Sequence, residues 1–358
     1  MQKPRILALL PFLVKGALSI IVLRSLRERG FDVTVAFCED ASEIYVADPL
    51  LDFAADGHLI DLTKVNRHLQ FETLLQQIRN RDINLILQLG ASDLYHNLPY
   101  WKEEIPSLRI VDTLYNEFGQ TLNHFLYERC MDGVIVESDY MCKFVKQASL
   151  QAQPNVQIVH SGIDLTDFVP KTGANRCDKR LTVGYVGRMS VEKNPMGFVD
   201  LAERLFDSQP NVEFLLFGGG NQADAVRQRV EQSPAAARLS YKGFAKHTAD
   251  ALHELDILVV PSKFDGRPNV IMEANACGVP VIAAPVGGIP ELIEEGRNGF
   301  LIGPTETDRV AHLLAGLLDE PSKLGVLKQA SREIALSKFD RAHMFDAYES
   351  TLIVFASA

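Results

Sequence analysis

The sequence predicts an α/β protein built from two Rossmann-like domains in series. Three observations carry this. Short β-branched apolar runs alternate with amphipathic stretches along most of the chain. The alternation breaks once, at a polar, Gly- and Lys-containing stretch near residues 160–180, and then restarts. The length of 358 residues, 47% of them hydrophobic, is long for one domain and comfortable for two.

Residues 6–10 read as the first strand and 17–29 as an amphipathic helix stopped by Gly30; 32–37 is the next strand. This β-loop-α-β unit lacks GxGxxG spacing, so a nicotinamide dinucleotide is not indicated. A helix over 69–79, strands over 83–88, 108–111 and 133–136, a helix over 140–150 and a strand over 156–159 complete the first half. After the break come a strand over 181–186, a helix over 195–206, a strand over 212–217, a helix over 222–231, a strand over 239–242 and a helix over 247–253. Residues 257–260 form a short buried strand that Pro261 and Ser262 end. A polar loop leads into a helix over 269–277, with Gly278 as its left-handed stop. A strand over 280–284 follows. Gly287 and Gly288 then precede a further helix with Pro290 in its first turn. Helices over 308–318 and 339–355 close the chain, the last with Met344, Tyr348 and Leu352 at helical spacing. The expected domains are 1–168 and 181–336, joined by a linker at 169–180. Residues 337–358 form a C-terminal helix that packs back on the first domain.

A formal charge of −10 argues against a general nucleic-acid binder. Cys38, Cys130, Cys142, Cys177 and Cys277 show neither metal-ligand spacing nor pairing, and read as reduced thiols of a cytoplasmic protein. The apolar run near the amino terminus is interrupted by Pro11, which favours a first strand over a signal peptide. No run is long enough to span a bilayer. No strong basic amphipathic helix is present, so membrane association is at most peripheral.

Two stretches carry chemistry. Strand 257–260, its loop and helix 269–277 put that loop at the carboxyl edge of a parallel sheet, where open α/β folds bind ligands. Asp265 lies in the loop; an Asp before Gly also serves as a plain turn residue. Glu273 lies on the helix among Ile271, Met272, Ala274 and Ala276, where a charge needs a partner or a ligand. In GYVGRMSVEKNP, Gly187 ends a strand and Arg188 and Lys193 precede a helix that begins near Pro195. Two cations beside a helix amino terminus make an anion site suited to a diphosphate. Singly, each is an ordinary surface cation. Gly218, in the turn Phe217-Gly218-Gly219-Gly220, lets backbone approach a ligand, though it also suits an ordinary helix entry.

Together VGYVGRMSVEKNP, LLFGGG, YKGF and PSKFDGRPNVIMEANACGVPVIAAPVGGIPELI resemble glycosyltransferase family 4 in order and spacing. VHSGIDLTDFVP is similar to the segment that joins that family's two domains. The match is dense over about 156–303 and thinner before it. The resemblance implies the GT-B fold: two Rossmann-like domains whose parallel sheets face an interdomain cleft. It also implies a retaining enzyme that uses a nucleoside diphosphate sugar, such as a UDP- or GDP-sugar, as donor. Arg188 and Lys193 match the basic pair on the donor diphosphate. Glu273 matches the second acid of the Glu-(seven residues)-Glu motif, which binds the ribose hydroxyls. Asp265 stands at the first acid position, one methylene shorter than the usual Glu that faces the transferred sugar. The backbone of Gly266, Arg267, Pro268, Asn269 and Val270 would hold sugar and phosphate, although Pro268 has no N–H to offer. Phe244 matches the segment that meets the base. Gly16, with Ala17, matches the first-domain glycine loop near the phosphates.

The first domain should take the acceptor, which is a saccharide, a lipid-linked sugar or a small molecule. Tyr115, Asn116 and His124 are the candidates there; a lone His is more often structural. No Asp-x-Asp occurs, so neither metal nor cofactor is expected. The cations and the helix start would neutralise the leaving diphosphate instead. Two other readings share the architecture: a nucleotide-sugar epimerase and a non-catalytic nucleotide-sugar-binding protein.

Overall fold

A computed structural model describes residues 3–41, 47–171, 180–303 and 305–357. The elements run β1 (Arg5–Leu10), α1 (Leu18–Glu28), β2 (Asp32–Phe37), α2 (Leu51–Ala55), β3 (Leu59–Asp61), α3 (Arg67–Asn80), β4 (Leu85–Gln88), α4 (Leu98–Glu104), β5 (Arg109–Leu114), α5 (Thr121–Tyr127), β6 (Gly133–Val136), α6 (Asp139–Ala148) and β7 (Val156–Ile158). They continue with β8 (Leu181–Val186), α7 (Pro195–Leu205), β9 (Val212–Phe217), α8 (Ala223–Glu231), β10 (Leu239–Gly243), α9 (Thr248–Leu252), β11 (Ile257–Val260), α10 (Asn269–Ala276), β12 (Val281–Ala283), β13 (Gly299–Leu301), α11 (Thr307–Asp319), α12 (Pro321–Lys338) and α13 (Arg341–Ser357).

The chain divides into two compact units, 1–160 with 342–358, and 161–341. The first holds a parallel sheet in the order β3-β2-β1-β4-β5-β6-β7, and the second a parallel sheet in the order β10-β9-β8-β11-β12-β13. Each sheet is doubly wound. The chain runs outward from a central strand, returns, and continues on that strand's other side. Strands with helices over both faces read as near-continuous apolar runs; β11 is wholly apolar, and β8 and β9 are broken only by Thr182 with Gly184 and by Glu213.

The unit boundary differs from the expected one. Residues 161–168 belong to the second unit, not the first, and residues 172–179 of the expected linker lie outside the described residues. The reason is pairing between the segment entering the second unit and the one leaving it, an isolated parallel bridge between Ile163 and Asp340. Ile163 N–H donates to Phe339 O at 2.8 Å and Arg341 N–H to Ile163 O at 3.0 Å. Gly162 permits the approach, because a Cβ there would lie 2.8 Å from the Arg341 backbone.

Several elements escape the sequence reading. β3 and β13 have three residues each, too short for a period to show. The 18-residue α12 has no clean apolar stripe, because Val326 and Leu336 are exposed while Leu327, Ser331, Ile334 and Ala335 are buried. It docks on α10, and its small residues let the two helices come close. The segment after Gly287 and Gly288 forms only a 3₁₀ turn, Ile289–Leu292, not a helix.

The C-terminal helix α13 completes the first unit's core. Met344, Tyr348, Leu352 and Phe355 are buried with Ile6, Ala8, Leu10, Val111 and Ile135 of the sheet. Phe355 lies over Gly133, where a Cβ would come within 2.0 Å of its ring. Lys3 and Arg29 pair with Glu349 at 2.7 and 2.9 Å along the same helix. Phe355→Ala is expected to destabilise this unit by about 3–5 kcal/mol, the scale of an emptied aromatic site. The single tryptophan, Trp101, is buried in the same unit, so its fluorescence during urea unfolding gives the measurement. An unchanged midpoint would show that α13 adds no stability there.

Candidate functional site

In the second sheet the strand order reverses between β8 and β11, which pair through Val183 with Ile257 and Gly184 with Leu258. Loops leaving two such strands run to opposite faces, and it is at the carboxyl ends of such strands that open α/β sheets bind their ligands. Three bonds tie these two loops together. Lys263 N–H donates to Glu192 O at 2.8 Å, Asn194 Nδ2 donates to Pro261 O at 3.0 Å, and Lys193 Nζ lies 2.5 Å from Asp265 Oδ2.

Backbone builds the rest of this edge. Gly187 N–H donates to Phe217 O at 3.1 Å, Met189 N–H to Gly219 O at 2.8 Å, and Gly218 N–H to Gly243 O at 2.8 Å. Glycine is required at two of these points. Gly218 and Gly220 both have φ +145, and a Cβ would lie 1.8 Å from Gly187 O at the first and 2.7 Å from Met189 O at the second. Phe244 is 82% exposed, and a Cβ on Gly219 would meet its ring at 3.9 Å.

Asp265 is fixed from several sides. Gly288 N–H donates to its main-chain oxygen at 3.4 Å and to Gly266 O at 2.9 Å. Ser262 Oγ donates to Oδ2 at 3.2 Å. Only 9% of its side chain is exposed, against 27% for Lys193. Arg188 is half-exposed, 3.7 Å from Glu192 Oε1, and its carbonyl accepts from Tyr185 Oη at 2.7 Å. The following helix α7 opens with Asn194, whose side chain accepts from Gly197 N–H, and with Pro195 in its first turn.

Glu273 lies in the second turn of α10, beside buried Met272 and Ala274. Burial pushes its carboxyl up to about 7. Among the described residues no hydrogen bond or ion pair reaches that carboxyl. The residue as a whole is half-buried, and an acid perturbed in this way marks a candidate binding group.

The structure thus brings together Gly187, Arg188, Lys193, Gly218, Asp265 and Gly266 at one sheet edge, with Phe244 on the β10 side and Glu273 on the helix leaving the edge. Pro268 caps α10 and Asn269 and Val270 begin it. Arg267 contributes backbone only. Its side chain is buried, with Nε donating to Ser161 O at 3.3 Å and the guanidinium 5.9 Å from the Phe339 ring. Sequence reasoning passed over Glu192, Ser262 and Asn194. The Asn-Pro dipeptide at a helix start was the available signal for Asn194.

The first-unit candidates do not converge on one another. Gly16 is exposed with φ +78, just before α1, and Ala17 is the N-cap of that helix. The Tyr115 hydroxyl is buried beside that of Tyr348, and burial raises its pKa. Asn116 closes a turn, accepting from Phe118 N–H at 2.9 Å. His124 is 4% exposed, with Nδ1 2.8 Å from Asp112 Oδ2. Asp112 also accepts from Tyr95 Oη at 2.9 Å. Among the described residues, no helix is long and apolar enough to cross a membrane.

Comparison with solved structures gives the fold. The fold matches Anabaena HepE, solved in complex with UDP, at TM-score 0.77 and 20% identity, over 98% of this chain and 100% of that one. Two doubly wound parallel-sheet units of this kind define the GT-B fold. Residues 180–320, which contain this sheet edge, match the family model for group 1 glycosyl transferases. The chain is 30% identical over 181 residues to a Vi polysaccharide biosynthesis protein of Salmonella typhi, covering 49% of this chain and 31% of that protein. It is 28% identical over 200 residues to the D-inositol 3-phosphate glycosyltransferase of Mycobacterium marinum, covering 52% and 42%. The matched stretch spans less than half of each relative.

The raised Glu273 value fixes a pH dependence. Between the ordinary carboxyl value of 4.5 and about 7, the folded chain holds a proton that the unfolded chain has lost. Stability therefore falls as pH rises through that window. Glu273→Gln is expected to raise the urea midpoint of the ligand-free protein at pH 8, and to change it much less at pH 5. Equal shifts at both pH values would remove the buried carboxyl as the cause.

Proposed function

We propose that this chain transfers a sugar from a nucleoside diphosphate sugar to an acceptor hydroxyl, as a retaining, metal-independent enzyme of glycosyltransferase family 4. One observation carries this reading. At the reversal point of the second sheet, Lys193 meets Asp265 between two laced loops, and an uncompensated carboxyl, Glu273, stands on the helix that leaves the second loop. The group 1 glycosyl transferase match over the same residues supports it.

The roles follow from chemistry. Arg188, Lys193 and the amino terminus of α7 neutralise the diphosphate as it departs. Glu273 accepts from the two ribose hydroxyls, which supply the partners that its burial removed. Asp265 accepts from a hydroxyl of the transferred sugar. The bond from the anomeric carbon to the phosphate oxygen breaks. The bond to the acceptor oxygen forms on the same face, and the departing phosphate takes the acceptor's proton. The acceptor is a saccharide, a lipid-linked sugar or a small molecule, and the reaction belongs to the cytoplasm.

The test is turnover with UDP- and GDP-sugars against acceptors of these three kinds, with and without a chelator. Free nucleoside diphosphate and a glycoside of retained anomeric configuration are expected, at a rate that the chelator leaves unchanged. An isomerised donor would mean an epimerase, and a bound but unreacted donor a binding protein. Arg188→Ala and Lys193→Ala are each expected to lower kcat on the order of a hundredfold, about 3 kcal/mol, the usual cost of losing one preorganised donor to developing charge. Normal turnover in both folded variants would defeat the diphosphate assignment.

A further inference from the structure

We infer that Asp265, through its ion pair with Lys193, makes the donor site discriminate a sugar-bearing nucleoside diphosphate from the free diphosphate. This rests on the transferase reading above. The two partners differ in freedom. Asp265 is held by Gly288 N–H on its main chain and by Ser262 Oγ on its carboxylate. A Cβ on the adjoining Gly287 would lie 1.8 Å from Asp265 O, so the loop is packed too closely to swing. Lys193 has a flexible four-carbon stem and three rotatable donors. It is the partner able to move, and the diphosphate is what it moves toward.

Each ligand then presents a different exchange. When a nucleotide sugar binds, Lys193 turns to the phosphates and a sugar hydroxyl replaces it on Asp265. The nearly buried carboxylate keeps a hydrogen-bond donor throughout. When free nucleoside diphosphate binds, Lys193 is drawn away in the same manner, but no hydroxyl arrives. Asp265 is left with Ser262 alone, which is costly for a carboxylate largely out of water. Charge adds to the effect. A terminal phosphate ionises a second time near pH 6, so at neutral pH the free diphosphate carries up to about one more negative charge than its sugar ester. That charge falls where the sugar was, facing Asp265. The pair therefore penalises the leaving product and spares the donor, which favours product release after transfer.

The experiment is calorimetric titration of UDP, GDP, UDP-glucose and GDP-mannose into the parent, Asp265→Asn, Lys193→Gln and the double variant at pH 8 and low salt. Asp265→Asn is expected to bind whichever free diphosphate the parent accepts roughly tenfold more tightly, the scale of one close charge pair. The matching nucleotide sugar should gain less, because an amide accepts a sugar hydroxyl less well, so the ratio of the two affinities narrows. The gain should shrink when Lys193→Gln is also present, because the part that comes from stripping Asp265 of its lysine is then gone and only the repulsion between Asp265 and the extra phosphate charge remains. Asp265→Ser, neutral and smaller, gives the same comparison if Asp265→Asn does not fold. A merely structural role for Asp265 weakens all ligands alike. If the parent binds nucleotides and neither neutral variant binds free diphosphate more tightly, the inference falls and the transferase reading stands. If the parent binds none of the four, the transferase reading falls and this inference with it.

Discussion

The reversal of strand order between β8 and β11 is the constraint on which the rest of the second unit depends. A parallel sheet wound in both directions from its centre cannot cover its central carboxyl edge with a crossover helix. Two loops must therefore end there side by side, with their polar groups facing outward. The sequence meets this with backbone before side chains. Gly218, Gly220 and Gly287 stand where a Cβ would collide with a neighbouring main-chain atom. The edge that results is lined by peptide groups, which suits a ligand made of phosphates and hydroxyls.

Charge is then set within that frame, and unevenly. Lys193 is matched by Asp265 at 2.5 Å and Arg188 lies 3.7 Å from Glu192, so the two cations expected to meet a diphosphate are already partly balanced. Glu273 is not. Glu273 is half-buried between buried Met272 and Ala274, and removing a carboxylate from water without a partner costs free energy. The proposed donor would supply a hydroxyl-bearing partner at that point. On that proposal the three features bear on different parts of one molecule: cations for a diphosphate, a fixed acid for a sugar, and a lone acid for a ribose.

Much of this was legible in the sequence because local and tertiary signals agreed. β-branched runs bounded by Gly and Pro marked β8, β9 and β11, and an acid among Ile271, Met272 and Ala274 marked Glu273. Where the signals disagreed, the reading failed. α12 buries Ser331 and Ala335 and exposes Val326 and Leu336, so tertiary fit to α10 overrides the periodicity on which a sequence reading depends. The unit boundary failed for a similar reason. Ile163 pairs with residues 339–341, a contact between distant parts of the chain that no local pattern encodes. The Lys193–Asp265 contact is of this kind too, since both residues were legible and their meeting was not.

The first unit obeys the same topological rule, with its reversal between β1 and β4. The three acceptor-side residues singled out there from sequence lie elsewhere. Tyr115 and His124 follow β5, and their polar atoms are turned inward. The Asp112 carboxylate is fully buried and is taken up by His124, Tyr95 and the Thr113 N–H, which is how a buried acid is satisfied. The rule points to the loop after β1, with exposed Lys15 and Gly16, the second of which the sequence also singles out, and to the turn after β4. In that turn Gly90 has φ +98, and a Cβ there would lie 2.5 Å from Gln120 Oε1. Gln120 is itself held by a 3.0 Å bond from Nε2 to Thr113 O. A glycine kept clear for a fixed amide, beside an exposed glycine loop, repeats in the first unit the design of the second: backbone first, then a few anchored polar groups.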